Sequence, residues 1–458
     1  MQDDTTPQSV LFPELFKRSV VVRFDQSHGS SDGGAILLKA CDRRLQLTQR
    51  LAGCVRDERQ PGKVSHTVEE LLRQRLYGIA CGYADANDAA RLANDPVHKM
   101  LADRDPIEGA ALASQPTLSR FENRVSRKDL MRMGLALAET VIERHRRRLG
   151  KKVRKITVDL DPTDDPTHGA QQLSFFNGHY DSWCYLPVAG FLTFDNEAEQ
   201  YLFACVLRPG NVTAQVGAIG ILSRVFARLR AAFPKARLRV RLDGGFASSE
   251  MFDFLEAQRV DHVVAMAKNS VLQGFSEPLM VPIRQRSEAS GQTEHAYGEC
   301  RYAAGTWRHA RRVIIKAEVV RHQDRSPKDN PRFVVTNLRT TPRHIYEDIY
   351  CARGDVENRL KELHHGLELD RTSCNSFWAN QFRVLMTAAS YVLYQELRLH
   401  AGGTDCARAQ VSTLRDRLLK LGAWIETSVR RIVVHLPMHV PFGDDWRRIA
   451  RSVGAIPT

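Results

Sequence analysis

Apolar residues along the chain change their spacing near residue 150, and again near residue 340. From Ala35 to about Leu149 they recur at three- and four-residue steps with few β-branched runs, which predicts helices. One helix is predicted over Thr67 to Gly82, where Thr67 can cap it and Glu70 stands three residues later, as in a capping box. A second helix starts at Gln115, with Pro116 and Thr117 at its first turn and Ser119, Arg120 and Asn123 left for solvent or a ligand. Residues 1 to about 30 read as irregular and end in the Gly/Ser-rich HGSSDGG of His28 to Gly34.

Beyond residue 150 strand and helix patterns alternate. Ile156 to Asp161 alternates apolar and polar, with Ile156, Val158 and Leu160 on one face and Thr157, Asp159 and Asp161 on the other. Gln200 to Leu207 reads as a buried strand and Thr213 to Phe233 as a long amphipathic helix. Leu238 to Asp243 alternates again, Ser248 to Gln258 is helical, and Val260 to Ala267 is a further apolar strand. Residues about 270–340 read as helix-poor and β-rich, with strand signals at Arg312 to Val320 and Phe333 to Thr336. Helical spacing returns from Pro342 to about Leu399, and the loop Ala401 to Cys406 sets off a C-terminal segment. The chain thus divides into three regions: 1–150, mainly helical; 151–400, an α/β unit with a β-rich insertion at about 270–340; and 401–458.

Charge adds to this picture. Sixty-six Lys and Arg against 53 Asp and Glu give a net charge of +13, which attracts polyanions and alone fits nucleic-acid binding no better than a merely basic protein. Arg144 to Lys155 carries eight basic residues. That run is either a solvated helix end or a phosphate-contacting strip at the mouth of the α/β unit. The nine cysteines stand singly, without a C-x-x-C pair, which fits reduced thiols and points to neither a zinc knuckle nor a redox dithiol. The acidic first residues contain no long apolar core, so no signal peptide is expected, and the stretch Leu385 to Tyr394 is too short to span a bilayer. A soluble cytoplasmic protein with no membrane partner is the expectation.

Three carboxylates carry candidate chemistry. Asp161 stands at the end of its strand before Pro162 and Thr163, and Asp243 ends another strand before Gly244 and Gly245. Taken singly, each has an ordinary reading, as a solvated strand end or a helix cap. On the third segment Ile345, Ile349, Val356, Leu360, Leu363 and Leu367 form an apolar stripe, while Tyr350, Arg353, Glu357, Lys361 and His364 form a polar one. A solvated helix with an Arg353–Glu357 ion pair would show the same stripe. Together, two Asp at strand ends and one Glu on a helix can converge over the carboxyl edge of a sheet, where ligand chemistry is placed in such folds. Three carboxylates offer enough hard oxygen donors for Mg²⁺ or Mn²⁺ and leave positions for water and phosphate. Two ions so held suit an in-line phosphoryl displacement. Trp183, Tyr185, Trp307 and Trp378 are either core or rings that stack on a flipped base, and His168 and His179 read as satisfied loop histidines.

At these residues the sequence resembles bacterial insertion-sequence transposases of the DDE type with an RNase H-like core, and among them most the group numbered thirteen-eighty. The stretches that carry the resemblance are VDLDPTDDPTHGAQQ (158–172), FFNGHYDSWCYLPV (175–188), LRPGNV (207–212), RLDGGF (241–246), YCARGDVENRLKEL (350–363), RTSCNSFWANQF (371–382) and SQPTLSRFEN (114–123). The resemblance implies an RNase H-like α/β catalytic core with a β-rich insertion, preceded by an α-helical DNA-binding region and followed by C-terminal helices. It assigns the catalytic and metal-holding roles to Asp161, Asp243 and Glu357, with Asp159 in reserve, and the expected DNA contacts fall on Tyr350, Arg353, Lys361, His364, Arg120 and Asn123. Gly244 departs from the family's Asp-Ser-Gly-Phe, and His364 stands where a Lys is common. The implied activity is binding of terminal inverted repeats, metal-dependent cutting at the element ends and joining of the freed 3′-hydroxyls to target DNA, by a homodimer associated with the nucleoid. Whether cleavage passes through a DNA hairpin stays open. A related nuclease that cuts without joining predicts the same triad, a decayed DNA-binding regulator would have lost a carboxylate, and a glycosidase suits the basic companions poorly.

Overall fold

The computed structural model describes residues 9–322 and 325–456, so the first eight residues of the expected irregular N-terminus lie outside it. The alternating segment forms one large mixed sheet. Its strands are β1 (Lys155–Pro162), β2 (Val188–Phe194), β3 (Tyr201–Val206), β4 (Arg237–Leu242), β5 (Asp261–Met266), β6 (Glu294–Tyr302), β7 (Arg311–Val320) and β8 (Arg332–Thr336). They lie in the order β6-β7-β8-β5-β4-β1-β2-β3, with the short Lys328–Asp329 pairing β7. β4 runs parallel to both β1 and β5, while β2 and β3 form an antiparallel meander beside β1. The fold is therefore mixed α/β.

Helices α1 (Val68–Ala80), α2 (Gln115–Arg124) and α3 (Arg127–Leu149) build the N-terminal region, and α4 (Ala218–Ala232) and α5 (Ser249–Ala257) connect β3 to β4 and β4 to β5. Thr67 caps α1 with the reciprocal Glu70 bond, as its sequence predicts, and Ser126 with Asp129 does the same for α3. α3 ends at Gly150, whose φ of +63° is reached cheaply by glycine.

The stretch 270–340 differs from expectation. Its first third is a helix, α6 (Ser270–Ser290), and the three later strands lengthen the central sheet beyond β5 rather than standing apart as a β unit. Pro278 and Pro282 lie inside α6, and two of its inward positions are Ser276 and Ser287, so both the breaker rule and the apolar spacing hide it. Asn269 nevertheless caps it by accepting from the Leu272 amide at 3.0 Å.

The polar stripe lies on an irregular helical segment: a wide π turn over Ile345–Tyr350, a tight 3₁₀ turn over Cys351–Arg353, then α7 (Gly354–Lys361). All six residues of the expected apolar stripe are buried. Behind them runs α8 (Phe377–His400), in which every residue from Ala379 to Arg398 is buried, polar ones included. Its polar residues fasten it on two sides. The side-chain carbonyls of Gln395 and Gln381 accept from the amides of Leu202 and Leu207 at the two ends of β3, and the Ser390 and Tyr394 hydroxyls donate to Leu76 and Ala80 carbonyls of α1. One cluster of buried apolar side chains consequently extends from Ala35 to Val453 across all three regions. The C-terminal segment adds the strands Ala423–Thr427 and Ile432–His435 and the helix Gly443–Ser452, and Gly29–Ser30 pairs with Ala423–Trp424. No helix among the described residues is long and apolar enough to cross a membrane.

Candidate active site

β1 and β4 are parallel neighbours in which Asp159 lies beside Arg241. That register decides the fate of Asp159. Arg241 donates to both of its carboxylate oxygens at 2.7 Å, both side chains are buried, and the remaining guanidinium nitrogen donates to the Ile349 carbonyl. A carboxylate filled in this way has little left for a metal, so Asp159 is a brace between β1, β4 and the helical segment above them.

Two residues on, Asp161 reaches the carboxyl end of the same strand face. It accepts one bond from Arg353 at 2.6 Å, and the same Arg353 nitrogen stands 3.8 Å from Asp243. Asp243 ends β4 and accepts from the Gly245 amide at 2.9 Å. Burial pushes the Asp161 carboxyl up to about 7; Arg353 opposes this, and the charges of Asp243, Glu357 and Asp159 add to it. Asp161 and Asp243 are thus brought to one edge of the sheet around Arg353, and the charge of Glu357, exposed on α7, reaches Asp161. Their oxygens do not close into a tight set: among the described residues, the group with ligand atoms mutually within 4.8 Å is Asp32, Cys81 and His98. That buried group lies in the helical part, where Asp32 pairs with His98 at 2.9 Å and with Lys420 at 2.8 Å. It ties three distant segments together, and its carboxylate already has two partners.

The carboxylate edge nonetheless suits a divalent cation. Its donors are hard oxygens, and Asp161 and Asp243 share the single guanidinium of Arg353 between them.

The paired glycines are not equivalent. A Cβ on Gly245 would lie 2.8 Å from the Ala214 Cβ, whereas one on Gly244 would meet nothing nearer than 3.8 Å. Only Gly245 is demanded by close approach, so the Ser-to-Gly departure at 244 is structurally mild. Ala214 is held in turn by Arg208 of LRPGNV, which donates to the carbonyls of Leu186 and Ala214. Burial brings the Arg208 pKa down to about 10. Gly210, two residues on, packs so tightly that a Cβ would lie 2.0 Å from the Cys184 carbonyl.

His364 is half-buried, shares a 2.9 Å hydrogen bond with the Thr163 hydroxyl and stands 3.8 Å from Asp370. It thereby links the helical segment to the end of β1. Lys361 and Glu357 are exposed, and Tyr350 is half-buried with its ring against Tyr346. Arg120 and Asn123 are exposed on α2, making only local bonds to Thr117 and Ser119, while Phe121 on the opposite side packs edge-on against Phe382. The basic run is divided. Arg144 pairs with Glu396 and Arg148 with Glu197. It also leads into the start of β1, opposite the Asp161 end and about 20 Å away at strand rise, so it does not form a mouth to this site.

Three neighbours escaped the sequence reading. Asp165 is fully buried, accepts from the Thr372 hydroxyl, and is pushed by burial up to about 8. Tyr180, at the tip of the ribbon formed by Phe175–Asn177 and Ser182–Tyr185, is raised to about 12 by burial, with Asp161 and Asp243 among the charges that add to it. Arg208 is the third. All three fall inside motif stretches, the one signal that could have found them. Of the aromatics, Tyr185 is buried and Trp307 packs on Phe252, Tyr302 and Arg311, whereas Trp183 is 60% exposed and Trp378 is 38% exposed.

Known proteins offer a wider comparison. The family model described as "Transposase DDE domain group 1" matches residues 12–457. No curated protein matches the sequence at a significant level. Among solved structures, a piggyBac transposase synaptic complex with hairpin DNA is similar at 10% identity and a TM-score of 0.41, covering 84% of this chain and 79% of that one, a likeness too distant to transfer residue roles. With the family model spanning nearly the whole sequence, the chain belongs to the DDE transposase domain family, whose enzymes cleave and transfer DNA strands with divalent metal ions.

Proposed function

We propose that this chain is an insertion-sequence transposase with an RNase H-like core. It binds the element's terminal inverted repeats as a homodimer, cuts at the element ends and joins the freed 3′-hydroxyls to target DNA in a bacterial cytoplasm, at the nucleoid. The strand order β3-β2-β1-β4-β5 supports an RNase H-like reading, with the three later strands as an extension. The observation that carries the function is the gathering of Asp161 and Asp243 around Arg353 at the carboxyl edge of β1 and β4, with the charge of Glu357 reaching Asp161.

In this reading Asp161, Asp243 and Glu357 would hold Mg²⁺ or Mn²⁺, two ions in all. Bound there, the ions would supply charge stabilisation for an attacking and a leaving oxygen. The chain's own residues prepare that edge. Arg353 keeps the two aspartates together and screens their repulsion. Arg241 takes Asp159 out of contention and fixes the strand beneath. Gly245 lets Asp243 sit close to the Ala214 loop, and His364 fastens the helical segment to Thr163. Exposed Lys361, with Tyr350 beside the site, would hold the DNA backbone, and Arg120 and Asn123 would meet the repeats. The exposed ring of Trp183 would stack on an opened base, whereas Trp378 already packs against Arg127 and Phe377.

The test is incubation with Mg²⁺ or Mn²⁺ and DNA carrying candidate element ends, comparing the native protein with Asp243→Ala. Metal-dependent cleavage and joining by the native protein alone is expected. Equal cleavage by both would reject the site, and cleavage without joining would reduce the chain to a nuclease.

A further inference from the structure

The N-terminal ribbon has no partner within the described chain. Val10–Phe12 pairs antiparallel with Val20–Val22, and Val10, Leu11, Phe12, Leu15, Phe16, Val21, Val22 and Phe24 are all exposed, Phe16 by 71% and Phe24 by 80%. A two-stranded ribbon is marginal alone in water and leaves both outer edges free to pair. Apolar exposure on this scale marks an interface. Taking about 150–250 Å² for each aromatic ring and somewhat less for each aliphatic side chain, and weighting each by its exposure of 39–80%, the eight present roughly 800 Å², which is about what each partner contributes to a standard stable interface.

The chemistry narrows the occupant. Between residues 10 and 25 the cations Lys17, Arg18 and Arg23 nearly balance Glu14 and Asp25, in a chain whose net charge is +13. DNA binding runs on phosphate neutralisation, and a net +1 among eight exposed apolar side chains offers little of it. A closed symmetric pair, by contrast, needs one patch to be complementary to itself, and an apolar ribbon with free edges meets that condition.

We propose that residues 10–24 are a contact between two copies of this chain, the ribbon of one copy packing its apolar side chains on the same ribbon of the other. This rests on the homodimer in the function proposed above and names the surface that makes it. The structure places the ribbon beyond the Gly29–Ser30 strand, which the C-terminal Ala423–Trp424 holds in place, so the ribbon projects from a fixed root.

The test is the mass of the full chain in sedimentation, without DNA, at micromolar concentration. The probes are the native protein, a Phe16→Asp/Phe24→Asp variant and, as a control, Val281→Asp at an exposed apolar position of α6. The native protein and control should run at twice the chain mass. The double variant should run at the single mass, its dissociation constant raised roughly a hundred-fold or more, with unchanged circular dichroism and melting of the monomer. A native monomer, a variant that stays dimeric, or a variant that fails to fold because the ribbon packs inside its own chain would each overturn the proposal. A monomeric native protein whose variant loses only DNA affinity would overturn it in favour of nucleic acid. Because no DNA is present, a failure of the transposition reading, seen as no cleavage by the native protein, leaves this measurement intact.

Discussion

Asp159 and Asp161 occupy the same face of the same strand, one pleat repeat apart, yet their surroundings differ in kind. Asp159 lies where β4 is still alongside and receives a forked pair of bonds from its register partner Arg241. Asp161 has passed the end of that pairing, lies beside Ala189 of β2, and shares a single guanidinium with another carboxylate. Position along a strand thus sorts chemically identical side chains into a paired brace and a less fully paired edge carboxylate. Where neighbouring strands run on, charges are consumed by structure; where they stop, charges are left for a ligand.

The contrast is tested most severely by substitution at the edge. Asp161→Asn, Asp243→Ala and Glu357→Ala should each lower metal-dependent strand cleavage by about a thousand-fold or more, as loss of a metal donor does, with little change in a denaturation midpoint. A variant at Asp161 that keeps activity would show the two aspartates to be alike. Next in size, Asp159→Ala should cost about 3–5 kcal/mol in urea unfolding, because it leaves Arg241 buried and unpaired, while Asp159→Ala combined with Arg241→Leu should recover most of that loss. If Asp159→Ala instead unfolds normally but is inactive, the roles of the two aspartates are reversed.

A third measurement concerns Asp165, further along the same chain segment. Its folded pKa of about 8 lies above the ordinary 3.8. The stability it contributes is thus fully present below pH 3.8 and is lost as pH rises through 8. Asp165→Asn, which stays neutral, should flatten that decline and be more stable than the native protein at about pH 9 by roughly 2 kcal/mol. Thermal melting from about pH 5 to 9 reads it, and parallel profiles would show that Asp165 does not drive the decline. The smallest contrast is between the glycines. Gly245→Ala should cost about 1–3 kcal/mol by overpacking against Ala214, and Gly244→Ala less than about 0.5 kcal/mol; equal costs would refute the distinction.

Much of the sheet could be read from the pattern, because β1 and β4 each carry an uninterrupted apolar face and β5 holds the apolar run Val263 to Met266. The edge position of Asp161 and Asp243 could be read from the Pro and Gly that succeed them. Partnership could not. That Arg241 faces Asp159, that Thr372 meets Asp165 across some two hundred residues and that His364 joins Thr163 are matters of register and docking, which no local pattern encodes. Helix α6 was hidden by its prolines and inward serines. The convergence of the three carboxylates became a definite expectation only through the resemblance, since each alone has an ordinary reading.

Synthesis of this chain meets a topological delay. Gly29 and Ser30 find their sheet partners at Ala423 and Trp424, so the beginning of the polypeptide cannot finish folding until almost all of it has left the ribosome. At about 5–20 residues per second, that wait is on the order of tens of seconds. During it the ribbon just upstream is tethered to an unfinished base while the central sheet assembles first, and a nascent chain in that state is a natural client for a chaperone.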